Sequence, residues 1–246
     1  MKIPNPFRFL MLLTLALSCL GAQASVTLSG TRIVFPADEK EVTVQISNDG
    51  KLPSLVQAWI DKGDEQATPD KIDVPFVITP TVFRIEAGKA QTLRILYTGE
   101  PLPADKESLF WLNVLDVPPK ASGDDDRNRL QIAFRTRVKL MYRPAGLQGD
   151  AADAPGRLKW TIATDAGHAP VLKAVNPTPY VVNLGGIALQ ANGKTFDAGV
   201  GFVRPGETTS FPIKGMTAGA VAGGTVVYSS FDDWGGTRAN QMSVDR

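Results

Sequence analysis

Apolar and polar residues alternate along most of this chain. Val42, Val44 and Ile46 share one parity, and strand-like apolar runs recur at 55–60, 92–97, 109–117 and 130–142. Successive side chains of an extended segment point to opposite faces, so each run predicts a β-strand. Turn residues separate them at Asn48-Asp49-Gly50, Glu86-Ala87-Gly88 and Pro118-Pro119, and no long stretch of helical period intervenes. A small-residue segment containing Gly and Asp, 145–157, then interrupts the pattern and reads as a linker. Strand-like runs resume at 158–162, 171–175, 180–184, 208–213 and 225–230, with Asn192-Gly193 predicting a hairpin turn. Short strands at this spacing predict an all-β chain of two sandwich domains, 25–144 and 158–246.

The first 24 residues follow a different rule. Lys2 and Arg8 precede an apolar run over 9–20, which ends in Ala22-Gln23-Ala24. That is the layout of a cleavable secretory signal, with a mature chain starting at Ser25. The run is shorter than the roughly 20 residues of a membrane span, so no membrane insertion is expected. Lipidation at Cys19 is the alternative, but Ala16-Leu17-Ser18 is a poor lipobox. The full chain has 26 Lys and Arg against 25 Asp and Glu; processing removes Lys2 and Arg8, leaving 24 against 25 and a net charge of −1. Such a balance gives no reason to expect nucleic acid or an anionic membrane surface as a partner. Cys19, the one cysteine, leaves with the signal, so the mature chain holds neither a disulfide nor a thiolate metal site. No cofactor or metal is implied.

Enzyme motifs are missing as well. His168 is the single histidine and sits in a turn-like Ala166-Gly167-His168; G-x-S-x-G, P-loop and H-E-x-x-H patterns do not occur. Composition alone leaves a carboxylate-pair glycosidase open, but nothing in the sequence points to one. Asp124, Asp125, Asp126 and Asn128 alternate as in the start of a calcium loop, yet Arg129 and Arg135 stand where such a loop requires Gly and Glu. A solvated loop tip is the expectation there.

The segment 102–119, Leu-Pro-Ala-Asp-Lys-Glu-Ser-Leu-Phe-Trp-Leu-Asn-Val-Leu-Asp-Val-Pro-Pro, closely resembles a signature of the periplasmic pilus chaperone family. Gly30-Thr31-Arg32-Ile33-Val34-Phe35, Lys139-Leu140-Met141-Tyr142-Arg143-Pro144, Asn176-Pro177-Thr178-Pro179-Tyr180 and Asp233-Trp234-Gly235 resemble further pieces of it. The resemblance implies two immunoglobulin-like domains in an L-shaped arrangement. It also implies a periplasmic chaperone that binds pilus or fimbrial subunits and works with an outer-membrane usher. The short loop 120–129 resembles the short-loop subclass. Such a chaperone lends the last strand of its first domain to a subunit that lacks one, covering the exposed edge and groove.

Leu130, Ile132 and Phe134 alternate with Gln131 and Ala133, so they share one strand face. That face is either core or the donated surface, and the length of the run, beyond the five or six residues of a usual strand, favours donation. By resemblance, Arg32 and Lys139 hold the subunit's C-terminal carboxylate, with Arg137 as the alternative second cation; ordinary surface charges are the competing reading. Lys139 has the opposite parity to Leu130, Ile132 and Phe134, which predicts a bulge or strong twist between Phe134 and Lys139. Glu107, Arg143 and Asp233 resemble an ion network that fixes the angle between the domains; three unrelated charges are the alternative. Self-association of the free chain over its donor strand is left open. The rival function is an extracellular immunoglobulin-like adhesion or pilus structural module.

Overall fold

The computed structural model describes residues 26–120, 131–217 and 223–244. Nine strands build the first domain: β1 (Val26–Leu28), β2 (Arg32–Pro36), β3 (Glu41–Asn48), β4 (Ser54–Asp61), β5 (Phe76–Thr79), β6 (Val82–Ile85), β7 (Ala90–Tyr97), β8 (Ser108–Val117) and β9 (Phe134–Arg143). They form two sheets, β1-β3-β7-β5 and β2-β9-β8-β4-β6. Seven more build the second: β10 (Lys159–Thr164), β11 (Pro170–Val175), β12 (Val182–Ala191), β13 (Lys194–Val203), β14 (Thr208–Pro212), β15 (Thr225–Phe231) and β16 (Thr237–Ser243). Their sheets are β10-β11-β14 and β13-β12-β15-β16. Both domains are immunoglobulin-like sandwiches.

Each sandwich closes over its own core. Phe35, Val56, Leu93, Ile95, Leu112 and Leu140 fill the first, while Leu158, Trp160, Leu172, Ile187, Leu189 and Val226 fill the second. The alternation that predicted the strands places these side chains inward and their neighbours outward. Within β9, Val138, Leu140 and Tyr142 point inward, so Arg137, Lys139, Met141 and Arg143 lie on the outer face. The Asn192-Gly193 turn has both residues at positive φ, 50° and 70°, as the tight hairpin between β12 and β13 requires. His168, also at positive φ, occupies an exposed turn.

The segment 145–157, expected as a linker, packs on the second domain: Ala154 and Pro155 are buried in a short 3-10 turn, and Leu147 and Ala151 pack against the second core. The donor run is shorter than predicted, because β9 begins at Phe134 and 131–133 precede the ladder without regular structure. No bulge separates Phe134 from Lys139, since the pairing with β8 runs unbroken from Asp116↔Phe134 to Ser108↔Tyr142. Leu130 and the aspartates 124–126 lie outside the described residues.

Candidate functional site

The outer faces of the sheet containing β9 and the sheet containing β12 meet in a cleft. Arg32 and Lys139 stand side by side there, because β2 pairs with β9 in parallel and puts them in direct register. Arg32 Nη1 donates to the Asp232 carbonyl at 2.8 Å, and its guanidinium lies 5.0 Å from the Phe231 ring centroid. Its Nε is buried without an acceptor. Lys139 Nζ donates to Asn183 Oδ1 at 2.7 Å and lies 4.4 Å from the Phe202 centroid. Burial, reinforced by the like charge of Arg32, lowers the Lys139 ammonium to about 8. Burial also lowers Arg32, and the charges of Asp232 and Asp233 offset part of that. Two adjacent cations with spare donors can take an anion that arrives by the cleft.

Arg137 is committed elsewhere. It makes 2.5 and 3.2 Å hydrogen bonds to the buried Asp61, a 3.4 Å contact to Glu65, and stacks 4.6 Å from Trp111. Burial pushes Asp61 up, but Arg137, Asn113 and the Gly63 N–H outweigh it and leave the carboxyl below its ordinary range. Arg137 therefore has few donors left for an incoming anion, whereas Lys139 has a hydrogen bond to Asn183 and no carboxylate partner among the described residues.

Glu107, Arg143 and Asp233 are brought together. Arg143 Nε donates to Glu107 Oε1 at 2.6 Å, and its Nη1 and Nη2 reach Asp233 at 2.7 and 2.8 Å. Glu107 in turn accepts the Val181 N–H at 2.6 Å, while its own N–H donates to the Pro179 carbonyl at 2.9 Å. The loop that supplies both groups is pinned by Asn176, whose buried amide bonds the Tyr180 and Val203 carbonyls and the Thr178 N–H. The motif at 176–180 thus shapes a dock for Glu107. Burial raises the Glu107 carboxyl despite these donors; burial likewise opposes the Arg143 charge, but Asp233 and Glu107 hold its pKa above the ordinary value. The turn carrying Asp233 comes close to the first domain: Gly235, at φ 91°, would place a Cβ 3.3 Å from Thr31 Oγ1.

Ile132 and Phe134 are 50% and 62% exposed, so neither belongs to a core. Beside them, β9 has an open edge. Its ladder with β2 covers only 139–143, and among the described residues no strand pairs with that edge over 134–138. Sequence reasoning missed Asn183, Phe202 and Phe231. The polar Asn183 inside the apolar run 181–184 was the available signal; nothing local marks the two rings. Among the described residues no cluster of His, Cys, Asp or Glu could hold a metal ion.

Two immunoglobulin-like sandwiches are thus joined through an ion network, with two cations in adjacent register where an open strand edge ends. Residues 25–148 match the model for the pili and flagellar-assembly chaperone PapD N-terminal domain, and 153–242 that for the pili assembly chaperone PapD C-terminal domain. The chain belongs to this pilus-assembly chaperone family, whose members are chaperones and not enzymes. It is 42% identical over 216 residues to the probable fimbrial chaperone YadV of Escherichia coli K12, covering 87% of each chain. The crystal structure of YadV superposes with a TM-score of 0.77 at 37% identity, covering 90% of this chain and 100% of that one. The structure of the Salmonella enterica SafA pilin in complex with the SafB chaperone gives a TM-score of 0.73 at 28% identity, covering 90% and 96%. Membership of this family sets aside the adhesion-module alternative.

Proposed function

We propose that this protein caps pilus or fimbrial subunits in the periplasm by lending them the open edge of β9, with Arg32 and Lys139 holding the subunit's terminal carboxylate. The observation that carries this reading is where the edge stops. β2 covers β9 from Lys139 onward, so a subunit strand laid along 134–138 runs into Arg32 at the start of β2. A strand that brings its C-terminal end to that point runs in the direction of β2, and therefore parallel to β9. Its backbone completes the sheet, and its carboxylate meets the cations in line with the strand axis.

This geometry also answers the parity difference. Phe134 shares the inward face of Val138 and Leu140, whereas Lys139 lies on the outer face. A carboxylate at the end of a backbone can reach the outer face while Ile132, Phe134 and Leu130 project into the subunit's groove. No bulge is needed. Each fully buried side chain would contribute about 1.5–3 kcal/mol before ordering costs. The exposed Ile132 and Phe134 also leave the free chain with an edge that a second copy could cover. Export by cleavage before Ser25, and delivery of the subunit to an outer-membrane usher, complete the proposal.

The experiment is periplasmic co-expression with candidate subunits. A one-to-one soluble complex is expected, and Arg32→Ala should abolish it. A variant that captures subunit as well as the native chain would overturn the carboxylate-anchor mechanism.

A further inference from the structure

The two cations of the cleft belong to a row of three residues that crosses the first domain's sheet. Arg32 on β2 registers with Lys139 on β9, which registers with Trp111 on β8. The second domain presents a matching row. Asn183 on β12 registers with Phe202 on β13 on one side and with Phe231 on β15 on the other. Both rows lie on outer sheet faces, and they meet residue against residue: Arg32 on Phe231 at 5.0 Å, Lys139 on Asn183 at 2.7 Å and on Phe202 at 4.4 Å, and Trp111 on Phe202 at 5.8 Å between ring centroids.

We propose that Asn183, Phe202 and Phe231 are positioning residues of the anchor, a row of the second domain that holds Arg32 and Lys139 side by side and ready for an anion. The inference rests on the anchor reading above and adds what the second domain does in it. Two like charges in adjacent register repel, and each long side chain has several rotamers to lose. An acidic neighbour would hold them, but it would also occupy the donors that the incoming carboxylate needs. The row avoids this. Ring faces attract cations without saturating their hydrogen bonds, and the neutral Asn183 amide takes only one donor of the ammonium. Its orientation is fixed, because Oδ1 must face Lys139 and Nδ2 then reaches Met141 Sδ at 3.7 Å. The nearby carboxylates of Asp232 and Asp233 are taken by the Trp234 and Gly236 N–H groups and by Arg143, so they act on Arg32 through charge and leave its donors open. A pilus chaperone built this way needs its second domain for the anchor as well as for shape.

The pH dependence of Lys139 ε-amine acylation, read by mass spectrometry on the full chain, tests the arrangement without a subunit. The native profile should be centred near the lowered value of about 8. Phe202→Ala, which uncovers the ammonium, and Asn183→Asp, which adds a carboxylate, should both move it upward, and Phe202→Tyr should restore it. With a subunit that the native chain captures, Phe202→Ala and Phe231→Ala should weaken capture about tenfold, the loss of a desolvated cation–ring contact. Asn183→Asp should abolish capture by occupying Lys139. Thermal melts identify any variant that fails to fold, and Phe202→Tyr retains a folded comparison. An unmoved acylation profile with native capture in all three variants, while Arg32→Ala still loses the subunit, would overturn the positioning role and leave the anchor standing. A shifted profile with native capture by Arg32→Ala would support the positioning and sink the anchor instead.

Discussion

Arg143 grips Asp233 through two parallel hydrogen bonds of 2.7 and 2.8 Å, using both terminal nitrogens of its guanidinium, while the third nitrogen is given to Glu107. The fork matches a carboxylate in a way that an ammonium cannot. Glu107 is fully shielded from solvent and has no second cation in the network. Its charge is tolerable only while Arg143 and the Val181 N–H face it.

Arg143→Met should therefore destabilise the protein by about 3–5 kcal/mol, because it strands a buried carboxylate. Arg143→Lys should recover only part of that. Denaturant melts give the magnitude, and small-angle scattering should show the two sandwiches losing their fixed relation. A melt within experimental error of the native protein would mean that the contacts along the cation row hold the interface without the network.

Lys139 makes binding and stability respond to pH with opposite signs. Its ammonium is lowered from 10.5 to about 8 in the free chain, by burial first and by Arg32 second. A bound carboxylate favours the charged form, so capture of a subunit takes up a proton. Affinity should be flat below about pH 8 and fall about tenfold per pH unit above it, until the pKa in the complex is passed. Stability of the free chain should instead rise through the same window, because the unfolded chain binds the extra proton there. Calorimetry in buffers of different ionisation enthalpy measures the uptake, and Lys139→Ala should remove it.

Asp61 sets the acid limit of the first domain. Burial raises its carboxyl, but Arg137, Asn113 and the Gly63 N–H more than compensate, so its folded pKa lies below the unfolded one. A depressed carboxylate stabilises above its unfolded pKa and loses that contribution as pH falls through the folded value. Melting temperature should accordingly drop on acidification below the ordinary carboxylate range. Asp61→Asn should flatten that drop and lower stability at neutral pH by about 3–5 kcal/mol, since Arg137 is then left half-buried without a full counter-charge.

Much of this architecture was legible because alternation is a local property. β3, β4, β7 and β8 follow from it within two residues at each end, and Asn192-Gly193 gave its hairpin correctly. β13 and β16 escaped for opposite reasons. Gly199 and Gly201 break the apolar period of β13, and β16 is an edge strand whose 237–243 residues are mostly polar. Arg32, Lys139, Glu107, Arg143 and Asp233 came from the resemblance, and the structure supplies their contacts. Of the facing row, only Asn183, polar within an apolar run, left a trace in the sequence. Asn183, Phe202 and Phe231 become neighbours only through strand register, which is set when two sheets form, and they meet Arg32 and Lys139 only when two domains dock.

Phe134 and Ile132 separate a donor surface from a core most directly. A core residue loses stability and function together when truncated, as Val138 on the same face should: it is 7% exposed, and Val138→Ala should lower the melting temperature of the free chain. Phe134 and Ile132 are largely in water, so Phe134→Ala and Ile132→Ala should leave that temperature almost unchanged. In the proposed complex both side chains are buried in the subunit. Capture should then weaken by about 1.5–3 kcal/mol for each, and by nearly the sum for the pair if the two contacts are independent. Competitive co-expression of native and variant chains with one subunit reads the difference. Variants that melt like the native chain and capture the subunit equally well would exclude these two side chains from the interface, even if Arg32→Ala still abolished binding.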